Sequence, residues 1–196
     1  MELETSRLRL RRPEARDRDA FRAMNSDPDV MRFFPRALTE AESDALLERT
    51  ISSFGERGFG VYTLELKATG AFVGFTGLAV PRFSATFTPC VEIGWRLVRA
   101  HHRRGLAPEA AERVLAHAFG ALGLEQIVSF TARINEPSIR VMEKLGMQSA
   151  GEFEHPSLPE GDRLRPHVLY RISRGELEER QRSRARATAR RSGSPG

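Results

Sequence analysis

The stretch VEIGWRLVRAHHRRGLAPEAAERVLAHAFGAL, residues 91–122, decides the fold of this chain. Residues 91–98 are rich in apolar and β-branched side chains and are predicted to form a strand. After a turn with two histidines and two arginines, a helix is predicted from about Leu106, because Pro108 suits a first helical turn. Apolar residues at helical spacing indicate that one face of this helix packs on a sheet: Ala107, Ala110, Ala111, Val114, Leu115, Ala118, Phe119 and Leu122.

The turn between this strand and this helix has the residues of an anion site. The first N–H groups of a helix have no partner within the helix, and its dipole places about +0.5 charge at that end. Arg103 and Arg104 add positive charge, while Gly105 and Ala107 leave the backbone accessible. We therefore expect a phosphate or diphosphate to bind to the amides of the turn.

This stretch and two later motifs resemble the GNAT superfamily of acyl-CoA N-acyltransferases. The motifs are Glu92-Ile-Gly-Trp, His102-Arg-Arg-Gly-Leu-Ala, Glu109-Ala110, Asn135-x-x-Ser138 and Glu143-Lys-Leu-Gly-Met147. The resemblance covers residues 3–174, and within the superfamily the chain is most similar to the branch that acetylates ribosomal-protein N-termini. That family usually begins its phosphate loop with Gln or Arg where this chain has His102. Because backbone amides hold most of the phosphate in the family, this departure is expected to matter little.

The resemblance implies an α/β fold of the GNAT type, with a mixed, mostly antiparallel sheet flanked by helices. Two parallel strands, residues 91–98 and 126–133, would splay apart at their C-terminal ends and hold the pantetheine of acetyl-CoA between them. The backbone of Leu97, Val98 and Arg99 would pair with the pantetheine. The pyrophosphate would lie in the loop formed by His102, Arg103, Arg104, Gly105, Leu106 and Ala107.

The resemblance also identifies candidate catalytic residues. Glu92 would act as a general base toward the acceptor amine, often through water; a solvated or salt-bridged carboxylate is the alternative. Asn135 would bind the pantetheine and cap the next helix, or only cap the helix. Ser138 would lie beside the departing sulfur, or make only a local hydrogen bond. Many family members have a tyrosine acid where this chain has Met142, which cannot donate a proton, so Ser138 or water is expected to do so.

These expectations combine into an acetyl-CoA-dependent N-acetyltransferase. At pH 7 roughly one α-amine in ten is neutral, against well under one lysine in a thousand, because their pKa values are about 7.7–8.0 and about 10.4. A weak base therefore suits a protein or peptide N-terminus. Met31, Phe33 and Phe34 could line the acceptor pocket or belong to the core. A small-molecule amine acetyltransferase and a non-catalytic acyl-CoA-binding domain remain alternatives.

Composition restricts the class of protein further. The chain has 196 residues, 40% hydrophobic and 29% charged, as in a soluble globular protein. It lacks an apolar run of about 20 residues and a secretory-signal pattern, so we expect a cytoplasmic protein without a membrane partner. Either a monomer or a homodimer is expected. Cys90 is the only cysteine, which excludes an intrachain disulfide. No metal site is expected, since the remaining candidate ligands lack the spacing: His101, His117, His155 and His167.

The formal net charge of +5 is concentrated at the C-terminus. No acidic residue follows Glu179, whereas six arginines do: Arg180, Arg182, Arg184, Arg186, Arg190 and Arg191. Residues 1–175 are therefore predicted to form the GNAT-like domain, and residues 176–196 a disordered basic tail. Such a tail could contact RNA or the ribosome, or could simply be solvated.

The rest of the chain predicts strands alternating with helices. Before residue 91 we expect a strand at 5–12, helices at 15–24 and 40–54, an irregular segment at 29–35, a hairpin of 59–66 with 71–80, and a loop at 81–89. The second of these helices follows the capping signal of Thr39 and Glu42. After the 126–133 strand we expect a helix at 136–145 and strands at 148–153 and 167–172.

Overall fold

The computed structural model describes residues 2–192 of the chain, without the side chains of residues 184, 185 and 187–192. The strands are β1 (Leu3–Glu4), β2 (Leu8–Arg11), β3 (Val61–Leu66), β4 (Phe72–Ala79), β5 (Glu92–Leu97), β6 (Gln126–Ala132), β7 (Gln148–Glu154) and β8 (Pro166–Ser173). The helices are α1 (Arg18–Ser26), α2 (Glu40–Arg57), α3 (Leu106–Gly120), α4 (Glu136–Leu145) and α5 (Arg174–Ser192). Most predicted elements are therefore confirmed, with ends shifted by a few residues.

The eight strands form one sheet in the order β1-β2-β3-β4-β5-β6-β8-β7. Every neighbouring pair is antiparallel except β5 and β6, which are parallel. Parallel neighbours need a crossover connection, and α3 supplies it. The predicted mixed, mostly antiparallel sheet is thus confirmed, and its one parallel pair lies in the stretch that decides the fold.

The core lies between this sheet and α3. The helix buries Ala110, Ala111, Val114, Leu115 and Ala118 completely, as its apolar spacing predicts. These residues belong to one hydrophobic cluster with many strand residues, among them Ile93, Leu97 and Ile127. Because α3 follows β5 directly, this packing fixes where the helix begins relative to the end of the strand.

The opposite face of the sheet is covered by α1, which packs against α2. Phe21 of α1 stacks on Phe75 of β4, with ring centroids 5.6 Å apart. Thr39 and Glu42 form the predicted capping box at the start of α2. Asn25 of α1 donates a hydrogen bond to Ser43 of α2 at 2.9 Å, and both side chains are buried. This buried polar contact ties the two helices together.

The first predicted helix begins later than its sequence pattern indicates. Residues Ala15–Asp17 form a 3-10 turn, and α1 starts at Arg18. Asp17 is buried and accepts hydrogen bonds from both terminal nitrogens of Arg11 and from the Thr63 hydroxyl. Burial raises the pKa of Asp17, but the hydrogen bonds from Arg11 and the Glu14 backbone outweigh it and lower the pKa overall. This buried ion pair accounts for the shifted start.

The C-terminal segment differs from the prediction of a disordered tail. Residues 174–192 form α5, whose start is capped because Glu176 accepts hydrogen bonds from the Ser173 amide and hydroxyl. Leu177 is buried in the core, and the later residues are mostly arginine, alanine and glutamate, which favour helix. The last four residues of the predicted tail, 193–196, lie outside the described residues. Contact of the basic segment with RNA or the ribosome stays a prediction. Although α5 has 19 residues, no helix in the described part is apolar enough to cross a membrane.

Candidate active site

A gap opens between the parallel strands β5 and β6. Their register contains a single pair, Glu92 with Val128, beside which the Val128 amide donates to the Val91 carbonyl at 3.0 Å. Beyond that pair, β5 stays bonded to β4 as far as Leu97, and β6 stays bonded to β8 as far as Ala132. The C-terminal ends of the two strands therefore splay apart, as expected for the fold.

The backbone at the end of β5 presents few free groups to this gap. The Val98 amide donates a hydrogen bond to the Val73 carbonyl of β4 at 3.0 Å. Because successive backbone groups of a strand point to opposite sides, those of Leu97 point the other way, into the gap. There Nε2 of His102 lies 2.8 Å from the Leu97 carbonyl oxygen. The carbonyls of Val98 and Arg99 accept from the amides of His101 and His102. All three carbonyls of the predicted pantetheine strand thus have intrachain partners.

The backbone amides of the turn before α3 have no hydrogen-bond partner among the described residues. Arg103 and Gly105 both have left-handed backbones, with φ of 58° and 74°. Within the described residues, no backbone N–H from Arg103 to Ala107 donates a hydrogen bond. Because Gly105 occupies the N-cap position, no side chain caps α3 there. Left-handed residues in such a turn create concavities that bind anions through successive N–H groups. A non-glycine residue held at positive φ, such as Arg103, is typical of functional loops.

Glu109 and Arg7 stabilise this turn through hydrogen bonds. Glu109 accepts hydrogen bonds from the Thr5 hydroxyl at 2.5 Å and from Nε of Arg7 at 2.6 Å. Arg7 in turn donates to the Arg104 carbonyl at 2.9 Å. Burial raises the pKa of Glu109, but the hydrogen bonds from Thr5 and Arg7 outweigh it, so the pKa falls below its ordinary value. No local sequence pattern predicts this contact, because its residues are about a hundred positions apart in the sequence.

Asn135 and Ser138 form a small network at the start of α4. The side-chain oxygen of Asn135 accepts the Ser138 amide at 3.4 Å, which caps the helix. The side-chain nitrogen of Asn135 donates to the hydroxyls of Thr131, at 2.8 Å, and Ser138, at 3.1 Å. Both of its protons are therefore used within the chain. The Ser138 hydroxyl accepts here and keeps its own proton for another acceptor.

Glu92 lies on the face of the sheet opposite α3. Side chains alternate along a strand, and Ile93 and Leu97 face α3, so Glu92, Gly94 and Arg96 face the other way. Burial raises the pKa of Glu92 to about 7. Between residues 2 and 192 no cation or hydrogen-bond donor pairs with its carboxyl group, so it is neither salt-bridged nor fully solvated. A carboxyl group with this pKa can exchange a proton near neutral pH.

Arg96 is a site residue that the sequence patterns did not single out. Its Nη1 donates to the Asn25 side-chain oxygen at 2.6 Å, and its guanidinium lies 4.1 Å from the ring centre of Phe34. It lines a cavity of about 200 Å³ together with Met31, Phe34, Pro35, Arg36 and Leu38. Of the three residues expected at an acceptor pocket or in the core, Met31 and Phe34 line this cavity and Phe33 does not. The available signal was an arginine on the same face of β5 as Glu92, two and four residues from Gly94 and Glu92 in the alternating pattern of a strand.

An aromatic cluster covers the neighbouring part of the same face. Val128 pairs with Glu92, so Phe130, two positions along β6, lies on the Glu92 face. Phe83 of the 81–89 loop packs on Phe130 with ring centroids 5.5 Å apart. The remaining members are Phe87, Phe153, His155 and His167. Burial lowers the pKa of both histidines, and among the described residues no group of histidine, cysteine or acidic side chains could hold a metal ion.

Known proteins resemble this chain in sequence. The sequence model of the acetyltransferase (GNAT) domain family matches residues 7–148, which include β5, α3 and β6. A protein of Bacillus subtilis (strain 168), described as "Uncharacterized N-acetyltransferase YoaA", is 32% identical over 156 residues. That alignment covers 76% of this chain and 84% of the relative.

Solved structures resemble it as well. A GNAT-family acetyltransferase from Bacillus anthracis is 27% identical, with a TM-score of 0.74 and coverage of 90% of this chain and 100% of that chain. RimL, described as a ribosomal L7/L12 alpha-N-protein acetyltransferase in complex with coenzyme A, is 14% identical, with a TM-score of 0.72 and coverage of 88% and 98%. At that identity the likeness to RimL concerns the fold alone.

Proposed function

Because the chain belongs to the GNAT acetyltransferase family, we propose that it transfers an acetyl group from acetyl-CoA directly to a primary amine, most readily the N-terminal amine of a protein or peptide. One observation carries this proposal. The gap between β5 and β6 has amides without partners in the described residues at one end, and the half-buried, unpaired carboxyl group of Glu92 lies on the sheet face opposite α3. The first feature suits a pyrophosphate and the second suits an amine.

The residues present fit acetyl-CoA. The free amides from Arg103 to Ala107 and the charge of Arg103 and Arg104 would hold the pyrophosphate, with His102, Gly105 and Leu106 completing the loop. The pantetheine would lie against Leu97, Val98 and Arg99, where the free Leu97 amide faces the gap. His102 would have to release the Leu97 carbonyl before that carbonyl could accept from the ligand. Asn135 would act mainly by fixing Ser138, because both protons of its amide nitrogen are already used.

The transfer requires a base on one side of the thioester and a proton donor on the other. Glu92, with a pKa of about 7, would accept the proton that the amine loses as it attacks, directly or through water. Ser138 would donate its free hydroxyl proton to the departing sulfur, or hydrogen-bond it. Met142 occupies the position of the family's tyrosine and is completely buried, so it contributes to packing only.

Replacing Ser138 with alanine tests the second role. We expect turnover to fall by about 10²-fold, the lower end of general acid catalysis, while affinity for acetyl-CoA stays nearly unchanged. The loss is confined to turnover because the interaction strengthens only as negative charge develops on sulfur. Steady-state kinetics and calorimetry measure the two quantities, and Ser52→Ala, on the exposed surface of α2, is the matched control. A fall smaller than about threefold would reduce Ser138 to a residue of the helical turn.

Two considerations favour a peptide N-terminus as acceptor. Roughly one α-amine in ten is neutral at pH 7, far more than for lysine, and the family branch suggested by the motifs acetylates ribosomal-protein N-termini. The test is mass spectrometry of products from a mixture of short peptides, polyamines and aminoglycosides. Addition of one acetyl group to peptide α-amines supports the proposal. Acetylation of the small molecules alone would contradict a peptide acceptor, but it would agree with the family assignment and with acetyl transfer.

A non-catalytic acyl-CoA-binding domain is the second candidate. Two observations favour it: the family's tyrosine is absent at Met142, and His102 blocks a carbonyl of the pantetheine strand. Such a domain would bind acetyl-CoA without consuming it in the presence of any amine.

A further inference from the structure

Arg96 is held rigidly by its surroundings. Its Nη1 donates to the side-chain oxygen of Asn25 at 2.6 Å, and Asn25 is fixed in turn by its own hydrogen bond to Ser43. The guanidinium carbon lies 4.1 Å from the ring centre of Phe34 and 5.3 Å from that of Phe75, and both contacts are of the cation–π type. The guanidinium plane is therefore oriented by three neighbours.

One edge of this guanidinium is left without a partner. Nε is completely buried and has no hydrogen-bond partner among the described residues. Nη2, which shares an edge with Nε, also makes no hydrogen bond there. An Nε–Nη2 edge is the fork that binds a carboxylate through two parallel hydrogen bonds. A buried donor without a partner is costly in a folded protein, so an acceptor that enters beside Arg96 and reaches this edge would be bound favourably.

The cavity beside Arg96 is positive. Its six lining residues are Met31, Phe34, Pro35, Arg36, Leu38 and Arg96, and none of them is acidic. Nη1 of Arg36 already donates to Glu42 at 2.8 Å, whereas no carboxylate of the described side chains pairs with Arg96. The volume of about 200 Å³ exceeds the roughly 30 Å³ of one water molecule several times. The space and the charge both suit an anionic organic group.

Arg96 also lies on the acceptor side of the proposed reaction. It shares a strand face with Glu92, four residues away, which is about 13 Å between the two Cα atoms at the usual rise of a strand. An acceptor that reaches both side chains therefore carries its amine and its anionic group several bonds apart. A peptide with glutamate or aspartate at its second or third position has this spacing, and so does an ω-amino acid.

We propose that Arg96 determines acceptor specificity by binding a carboxylate of the acceptor through its Nε–Nη2 edge, with the amine directed toward Glu92. The inference rests on the proposed acetyl transfer and names the class of acceptor: primary amines that carry a carboxylate several bonds from the reacting nitrogen. The carboxylate comes either from an acidic side chain near a peptide N-terminus or from a small amino acid.

Matched acceptors test this inference. The peptides Ala-Glu-Ala-Tyr-amide and Ala-Gln-Ala-Tyr-amide differ only in the charge of the second side chain, and 5-aminopentanoate and its amide form the small-molecule pair. For the wild-type protein we expect kcat/KM to be at least about tenfold higher for the charged member of one pair, because two charge-assisted hydrogen bonds are lost with the amide. The responding pair identifies the source of the carboxylate.

Substitutions then assign the preference to Arg96. Arg96→Met is expected to bring the charged-to-neutral ratio to about one, whereas Arg36→Met, the control on the same cavity, retains it. A purely structural role of Arg96 would lower both rates of a pair equally and leave the ratio unchanged, which would overturn the inference. A wild-type kcat/KM ratio of charged to neutral acceptor near one in both pairs would also overturn the inference, whether or not Arg96→Met folds.

A binding measurement separates this inference from the proposed function. If other amines are acetylated and neither charged acceptor is, the transfer stands and the role of Arg96 is wrong. If no amine is acetylated, the proposed function fails, and calorimetry with the charged and neutral peptides on the coenzyme A-saturated protein decides the role of Arg96. Tighter binding of the charged peptide, lost in Arg96→Met, supports it; equal binding or no binding overturns it.

Discussion

Gly105→Val is expected to weaken acetyl-CoA binding by at least about 100-fold, since each charge-assisted hydrogen bond from a free amide contributes about 1.5–3 kcal/mol and more than one is lost. Gly105 has φ of 74°, a conformation that a β-branched residue avoids. Valine would therefore change the turn and redirect the amides from Arg103 to Ala107. Calorimetric titration with acetyl-CoA measures the effect.

Gly123→Val is the matched control for this substitution. Gly123 follows the other end of α3 and also has a left-handed backbone, with φ of 67°. The open space around both glycines is similar, because a Cβ would come no closer than 3.5 Å to another residue at Gly105 and 4.0 Å at Gly123. The two variants should lose similar stability, but only Gly105→Val should lose affinity. Unchanged affinity in both would show that the turn does not hold the pyrophosphate.

Glu92→Gln is expected to lower turnover and to stabilise the fold at the same time. General base catalysis contributes about 10²- to 10⁴-fold, and removal of the base should cost an amount in this range at pH 7. The loss should shrink as the pH rises, because more of the acceptor amine is then neutral without help. A pH profile parallel to that of the wild-type protein would remove Glu92 from the mechanism.

The stability change follows from the raised pKa of Glu92. Its folded-state pKa is about 7, against an ordinary value of 4.5, so the unfolded chain releases this proton first as the pH rises. The contribution of Glu92 to the free energy of unfolding therefore falls between about pH 4.5 and pH 7. At pH 8 its ionised carboxyl group lowers the free energy of unfolding by about 3 kcal/mol, because each unit of pKa difference corresponds to about 1.36 kcal/mol. Glutamine removes this cost, so the gain is about 3 kcal/mol at pH 8 and below about 1 kcal/mol at pH 5.

Urea unfolding of the two proteins at both pH values measures this gain. Glu109→Gln is a control of opposite sign, because hydrogen bonds lower the pKa of Glu109 and its ionised form stabilises the fold at pH 8. We expect Glu109→Gln to reduce the free energy of unfolding there. A Glu92→Gln variant that is no more stable at pH 8 than the wild-type protein would show that the carboxyl group is solvated or paired.

Features encoded by neighbouring residues were predictable from the sequence. Thr39 and Glu42 are three positions apart and form the capping box that starts α2. Asn135 caps α4, and Gly105 precedes α3, at the positions that residue preferences predict. The parallel pair and its gap followed from the resemblance of the residues around Glu92, because the strand, turn and helix are consecutive.

Contacts between distant residues could not be predicted in this way. Glu109 supports the turn through Thr5 and Arg7, and Arg96 is oriented by Asn25; these partners come from other elements and obey no spacing rule. The bond from His102 to the Leu97 carbonyl depends on how the turn folds back. The C-terminal helix was missed because charge favours disorder on average, whereas Leu177 packs in the core.

The release of free coenzyme A thiol from acetyl-CoA, measured with and without N-terminal peptides and other primary amines, tests the proposed transfer most directly. We predict thiol release that depends on the amine, with one acetylated amine formed per thiol and with strongly reduced release in Gly105→Val. Tight binding of acetyl-CoA without thiol release for any amine of the panel would contradict the proposed transfer and identify the protein as an acyl-CoA-binding domain.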